Sequence, residues 1–175
     1  YEALTALAAQ APAFGPLVDP DAHDFLRPGD MPARLADFCA RTGQHVPETK
    51  GEIVRCALES LALKYRWVLE KLEQMLGRRL GMIHIVGGGS QNELLCQFAA
   101  DATQRPVLAG PVEATALGNI LMQAIAQGRI GSLAEGREVV RRSCALKAFE
   151  PGPAAPWEEA YGRFLRVLTE VAGGA

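Results

Sequence analysis

Apolar residues recur along this chain at three- and four-residue steps, and only rarely run together. Between residues 48 and 76 the positions Ile53, Ala57, Leu61, Tyr65, Val68, Leu72 and Met75 form a stripe, while Glu59, Lys64, Arg66, Glu70 and Lys71 fall off it. That spacing predicts one long amphipathic helix. At 1.5 Å per residue it is about 40 Å long, and Gly77 with Arg78 and Arg79 supplies its end. A short helix is expected over residues 1–12, with Leu4, Leu7 and Ala8 on one face and Pro12 as its stop. A further helix is expected after Asp30, whose side chain can cap it, with Pro32 in its first turn, Leu35, Phe38 and Cys39 buried and Gly43 ending it. The intervening residues 13–32, dense in Pro and Asp, read as irregular chain. Helices are also predicted over 113–127, with Gly128 at the C-cap and with Ala114, Ala116 and Gly118 small enough for it to lie close on a sheet, over 132–142, and after the linker Pro151-Gly152-Pro153. The last of these buries Trp157, Tyr161, Phe164, Leu165 and Leu168.

Two segments break the helical period. Met82-Ile83-His84-Ile85-Val86 is a strand-like run that empties into Gly87-Gly88-Gly89-Ser90-Gln91-Asn92, and a helix pattern with Leu94, Leu95, Phe98 and Ala99 follows over 90–103. Pro106-Val107-Leu108 is a second short strand, broken by Ala109-Gly110-Pro111. Apolar strand, glycine turn and capped helix is the order in which a parallel α/β sheet presents a phosphate or nucleotide site. Glycines permit positive φ and close ligand approach, and the helix start directs free N–H groups and a positive dipole end at the turn. The same residues also fit an ordinary turn, because Ser90 and Glu93 have the spacing of a capping box. Both readings stay open on the local pattern. Two short parallel strands do not cover so many helical apolar faces, so the remainder of the sheet is expected outside this sequence.

With 175 residues and 49% hydrophobic content the chain can form one domain with a substantial core. A net charge of −2 and dispersed basic residues argue against nucleic acid or an acidic membrane as partner. No stretch reaches the ~20 apolar residues of a membrane span, and neither a signal-peptide pattern nor an initiating Met is present at Tyr1, so no targeting segment is expected. Cys39, Cys56, Cys96 and Cys144 lie far apart with no C-x-x-C pair, and are expected as buried, reduced thiols of a cytoplasmic protein. His23, His45 and His84 show no metal-binding spacing; His84 is expected to face a helix or neighbouring strand. Asp101, at a helix end, is expected to close a backbone hydrogen-bond network, and Glu113 to sit in the first turn of its helix. Trp67 and Trp157 fit core or domain-contact positions, and Asp21, Asp24 and Asp30 lack the spacing of a calcium loop.

The run Gly87-Gly88-Gly89-Ser90-Gln91-Asn92-Glu93-Leu94-Leu95-Cys96-Gln97, then Ala100-Asp101, Pro106-Val107 and Gly110-Pro111-Val112-Glu113-Ala114-Thr115-Ala116-Leu117-Gly118-Asn119, resembles the carboxy-terminal domain of the FGGY carbohydrate kinases. Pro28-Gly29-Asp30-Met31-Pro32 and Gly51-Glu52-Ile53-Val54-Arg55-Cys56-Ala57-Leu58-Glu59-Ser60-Leu61-Ala62 extend the resemblance, which covers nearly all of residues 1–150 and is closest to the members acting on L-rhamnulose. The resemblance implies an α/β fold of the actin-like, ribonuclease-H-like class. Residues 1–175 would then be a helix-rich portion of the carboxy-terminal domain of a two-domain kinase, with part of the sheet missing. It implies ATP in the cleft between domains, with Mg²⁺ on its phosphates. Gly88 and Gly89 would lie against the ribose and α-phosphate, Asn92 would reach the adenine region, and Gly87, Ser90 and Gln91 would complete the loop. For the intact enzyme the implied reaction is transfer of the ATP γ-phosphoryl group to the 1-hydroxyl of L-rhamnulose. The sugar site and the aspartate base would lie in parts preceding Tyr1, so no catalytic residue is expected here and the chain alone is expected to be inactive.

Other readings remain at this stage. A dinucleotide site of the Gly87-x-Gly89-x-x-Asn92 type lacks its third glycine and has a helical lead of about 80 residues before the first good strand. A noncatalytic nucleotide-sensing module on the same fold, and a helical interaction domain with a purely structural turn, complete the set. An exposed half-sheet favours pairing, so a homodimer is expected through the edge at 82–86 or 106–108.

Overall fold

The computed structural model describes residues 2–173. Helices α1 (Glu2–Gln10), α2 (Met31–Arg41) and α3 (Lys50–Leu76) precede strand β1 (Ile83–Ile85) and helix α4 (Glu93–Thr103). Strand β2 (Val107–Ala109), helices α5 (Ala114–Ala126) and α6 (Leu133–Ser143), strand β3 (Lys147–Phe149) and helix α7 (Ala155–Gly173) follow. The sheet order is β1-β2-β3: β1 and β2 are parallel, with Ile83 opposite Val107, and β3 is antiparallel to β2, with Phe149 opposite Val107. β3 was not expected from the sequence. The segment 106–108 is therefore no edge, because β2 has neighbours on both sides; β1 has an open edge.

Local chemistry fixes the helix boundaries. Asp30 accepts from the Ala33 N–H at 3.1 Å with Pro32 in the first turn of α2, as expected. Thr49 and Glu52 form a reciprocal capping box on α3, and Gly77, at φ +64°, closes that helix in the left-handed region. Gly51 is required by proximity: a Cβ there would lie 2.7 Å from the Leu7 carbonyl oxygen, so glycine lets α1 rest directly on α3.

The face that α3 buries differs from the expected stripe. Tyr65, Val68, Leu72 and Met75 are exposed, whereas Cys56, Leu58, Glu59, Ser60, Ala62, Leu63 and Leu69 are buried. The reason is that α3 packs against α1, α4 and α7 on one side, while the side that carries Val68, Leu72 and Met75 is left uncovered. One core joins Leu17, Leu58, Leu63, Phe98, Trp157 and Phe164; a second gathers Val18, Phe38, Cys39 and Cys56; a third lies between α4 and the sheet around Cys96, Ala99 and Val107. Of the expected stripe on α7, Leu165 is exposed and Val167 is buried in its place. All the cysteines are free, and a hydrogen bond to Cys39 together with burial pushes the Cys56 thiol up.

The segment before α2 is irregular, as its Pro and Asp content predicts, yet Leu17 and Val18 are buried. Its backbone is satisfied by side chains, as buried polar groups require: Gln44 both accepts from the Leu17 N–H and donates to the Leu17 carbonyl at 2.8 Å, and Ser60 accepts from the Val18 N–H at 3.0 Å. Glu59 accepts from the Phe14 N–H at 2.9 Å and from Arg55 Nε at 2.7 Å. Arg55 Nη1 donates in turn to the carbonyls of Ala8, Ala9 and Ala11. Burial pushes the Glu59 carboxyl above its ordinary value, against the opposite pull of Arg55 and the Phe14 amide.

Two further sequence expectations are corrected. Helix α5 packs on α6, with Leu121 against Gly136, and not on the sheet; Ala116 and Gly118 are exposed. Glu113 precedes the first turn of α5 and makes no side-chain cap.

Removing Arg55 would leave a buried carboxylate without its counter-charge. Arg55→Ala is therefore expected to cost about 3–5 kcal/mol by urea unfolding, and Glu59→Gln distinctly less; equal small effects would contradict the role assigned to the pair. Glu73 joins α3 to the approach of β1 by accepting from the Leu80 N–H at 2.7 Å and from Arg105 at 3.0 Å, and these contacts, the backbone one first, hold its carboxyl below 4.5. Because the folded value is depressed, its stabilisation is present above the unfolded value and is lost as pH falls through the folded one. The stability difference between the wild type and Glu73→Gln is expected to be full at pH 7 and to shrink below about pH 4.5, read from melting temperatures across pH.

Candidate functional site

The expected strand-turn-helix junction forms, with a different internal wiring. Gly87 sits at φ +76° and ψ −163°, and residues Gly88–Gln91 make a single 3₁₀ turn. The Ser90 N–H donates to the Gly87 carbonyl at 3.0 Å and the Ser90 hydroxyl to the same oxygen at 2.6 Å. Ser90 thus closes the turn and does not cap α4. The cap is Asn92, whose Oδ1 accepts from the Leu95 N–H at 3.1 Å. The expected Ser90–Glu93 capping box is not formed, since the 3₁₀ turn carries the chain two residues further before the helix begins.

The neighbouring strand holds the turn in place. Gly110 N–H donates to the Ile85 carbonyl at 2.8 Å, and Gly87 N–H to the Pro111 carbonyl at 3.0 Å. From below, the buried Cys96 thiol lies 4.0 Å from the Gly89 carbonyl oxygen and 3.9 Å from that of Ser90. Glu93, at the helix start, is paired with Lys147 of β3 at 2.6 Å, which offsets a negative charge beside an otherwise electropositive helix end.

The glycines are not equivalent. Gly87 needs its left-handed backbone, whereas neither Gly88 nor Gly89 has positive φ. A Cβ on Gly88 would meet nothing within 4 Å, and one on Gly89 only Ile85 Cγ2 at 3.8 Å. Nothing among the described residues requires glycine at these positions, and their absent side chains leave the backbone open to an approaching group.

Asn92 is buried, while Gly88, Gly89 and Gln91 are exposed and Gly87 and Ser90 half-buried. Gln91 and Asn92 line a cleft of about 400 Å³ with Glu2, Thr5 and Ala6 of α1. An apolar cavity of about 280 Å³ adjoins it, lined by Thr5, Leu35, Val54, Leu58 and Asn92 among others. The α1 wall had no signal in the sequence, where Glu2 and Thr5 lie more than 80 positions from the glycines. His84 is exposed on β1, not turned toward a helix or strand, and lies apart from the cleft. Asp101 accepts from the Gly152 N–H and from Gln97 Nε2 at 2.8 Å, the backbone-closing role expected of it. Among the described residues no group of three or more His, Cys, Asp or Glu could hold a metal ion, and no helix is long and apolar enough to cross a membrane.

Comparison with known proteins bears on this arrangement. The model of the FGGY family of carbohydrate kinases, C-terminal domain, matches residues 1–127. A rhamnulokinase of Bacteroides thetaiotaomicron is 44% identical over 164 residues, covering 94% of this chain and 34% of that protein. One from Enterococcus faecalis is 43% identical over 155 residues, covering 87% and 31%. The chain thus spans about a third of the length of the curated relatives it matches. Among solved structures, xylulose kinase from Rhodospirillum rubrum superposes with a TM-score of 0.65 at 22% identity, covering 98% of this chain and 34% of that one. Plasmodium falciparum glycerol kinase with ADP gives 0.69 at 15% identity, covering 97% and 33%. These likenesses establish the fold.

The asymmetry among the glycines has a measurable consequence. Gly87→Ala is expected to lose about 1–2 kcal/mol of stability, because alanine is strained in the left-handed region. Gly88→Val is expected to stay within about 1 kcal/mol of wild type, there being open space at its Cβ. Chemical denaturation of both variants reads the difference, and equal losses would refute it.

Proposed function

The chain belongs to the FGGY family of carbohydrate kinases, and from that premise we propose that it forms the adenosine-binding half of an ATP-dependent sugar kinase. Residues 1–175 then make up a carboxy-terminal portion of a two-domain enzyme. The observation that carries the reading is the open backbone at Gly88 and Gly89, where no contact among the described residues calls for glycine. Gly88 and Gly89 take the ribose and α-phosphate, Gly87, Ser90 and Gln91 shape the loop, and Asn92 faces the base. When bound, ATP supplies the phosphoryl group that is transferred. This chain's part is to hold the nucleoside end in a fixed place, which is much of what phosphoryl transfer requires of a protein. Mg²⁺ would arrive with the phosphates of ATP.

The acceptor we propose is a ketose, L-rhamnulose, phosphorylated at its 1-hydroxyl. The support is the identity of 43–44% to two rhamnulokinases over most of this chain. The sugar contacts and the general base belong to the remainder of the intact enzyme, as does the covering of the open β1 edge and of α5, whose Ile120 and Met122 are 62% and 59% exposed.

Calorimetry with ADP on this chain, on its Gly88→Val variant and on the full-length kinase tests the site. ADP is expected to bind to the chain, and the valine to weaken binding at least tenfold without unfolding it. Binding unchanged by Gly88→Val, or absent even from the full-length protein, would defeat the assignment. Phosphorylation of L-rhamnulose by the full-length enzyme, against xylulose and glycerol as alternatives, tests the substrate.

A further inference from the structure

Thr5 and Asn92 come from distant parts of the sequence, yet both line the cleft beside the glycine turn and the apolar cavity next to it. The hydrogen bonds each already makes favour one sense toward a ligand. Asn92 is 4% exposed, and its Oδ1 is committed to the Leu95 N–H, which fixes the orientation of the amide. What remains is Nδ2, a donor with no acceptor among the described residues. Thr5 is the opposite case. Its hydroxyl gives its hydrogen to the Glu2 carbonyl at 2.9 Å, which leaves the Oγ1 lone pairs to accept from a ligand. Together they present one donor and one acceptor, in fixed places, beside an apolar cavity wall formed by Leu35, Val54 and Leu58.

A 6-aminopurine carries the complementary pair, an exocyclic amine that donates and a neighbouring ring nitrogen that accepts. A 6-oxopurine carries two acceptors on one edge, and on the other a donor and an acceptor in reversed order. With the ribose anchored at the glycine turn the base cannot slide to exchange that order. We propose that Thr5 determines base specificity: its Oγ1 accepts from the 6-amino group while Asn92 Nδ2 donates to the adjoining ring nitrogen, so that the site selects adenine over hypoxanthine or guanine nucleotides. This rests on the nucleotide reading of the cleft.

The test pairs ADP with inosine 5′-diphosphate, which replaces the 6-amino group by an oxo group and thereby reverses the hydrogen-bonding sense at N1. Calorimetry is run on the wild-type chain and on Thr5→Val and Thr5→Ser, with thermal melts to confirm that each is folded. The wild type is expected to prefer ADP by about tenfold, in line with one well-placed hydrogen bond and one avoided mismatch. Thr5→Val, of nearly the same shape, is expected to lose that preference by weakening ADP alone, and Thr5→Ser to retain it. Equal affinity of the wild type for both nucleotides, or a Thr5→Val change that is absent or common to both, would overturn the role of Thr5 while leaving the nucleotide site standing. Binding of neither nucleotide by the wild-type chain or by the full-length kinase would overturn both.

Discussion

The constraint on which most of this structure depends is a carboxylate in the wrong place by hydrophobic bookkeeping. The Glu59 side chain is 1% exposed in the middle of α3. It is tolerable there because its oxygens are committed to the Arg55 guanidinium and the Phe14 N–H. Arg55 then donates to the carbonyls of Ala8, Ala9 and Ala11 at the end of α1, where helix carbonyls run out of intrahelical partners; Ala8 also accepts from the Ala11 N–H. Arg163 of α7 holds the Phe14 and Gly15 carbonyls from the other side. A buried ion pair is weak evidence for net stability, since an apolar replacement can be equally stable. Its effect here is to specify location: α1 can sit on α3 in one register only, and Gly51 makes the approach possible. The register matters because the other end of α1 forms a wall of the cleft at Asn92.

What the sequence made legible is what is decided within a few residues. The Asp30 cap, the Gly77 stop, the β1 run and the glycine turn are all short-range statements, and they were readable for that reason. The resemblance to the FGGY kinases was likewise carried by contiguous motifs. The misreadings share the opposite origin. Glu59 falls off the apolar stripe and is nonetheless buried, because the Phe14 N–H it accepts from and the Ala8, Ala9 and Ala11 carbonyls that its partner Arg55 holds lie more than 40 positions away. The stripe through Val68, Leu72 and Met75 has true helical spacing, yet spacing identifies a helix without identifying which of its faces a neighbour covers. Strand β3 spans three residues and opens on an exposed lysine, so nothing but its pairing with β2 distinguishes it from loop. The competition between Ser90 and Asn92 for the cap was settled by a 3₁₀ turn that consumes Ser90, an outcome two residues from the expectation. Thr5 had no local signal at all.

Helix α5 shows the limit of closure within the chain. It is among the most apolar of the helices, yet none of its residues is buried, and β1 leaves one edge of backbone groups unpaired. Helices and strands of this composition are stabilised by what covers them. Among the described residues no fully buried side-chain nitrogen or oxygen lacks a partner; Asn92 Nδ2, which has none, is not among the fully buried atoms. Unmet packing therefore lies at the β1 edge, on α5 and on the outer stripe of α3 that ends at Met75.

The glycine turn itself does not share that incompleteness. Its shape is held by Gly87 N–H on Pro111, Gly110 N–H on Ile85, the Ser90 bonds to Gly87 and the Asn92 cap, all contacts made inside this chain. A loop so determined has its ordering entropy settled on folding, before any ligand arrives. A kinase divided between two domains needs that property in the half that grips the nucleotide, because in-line transfer depends on where the phosphates are when the other half closes. The open backbone at Gly88 and Gly89, on a frame that demands glycine only at Gly87, is the form such a preorganised half-site would take.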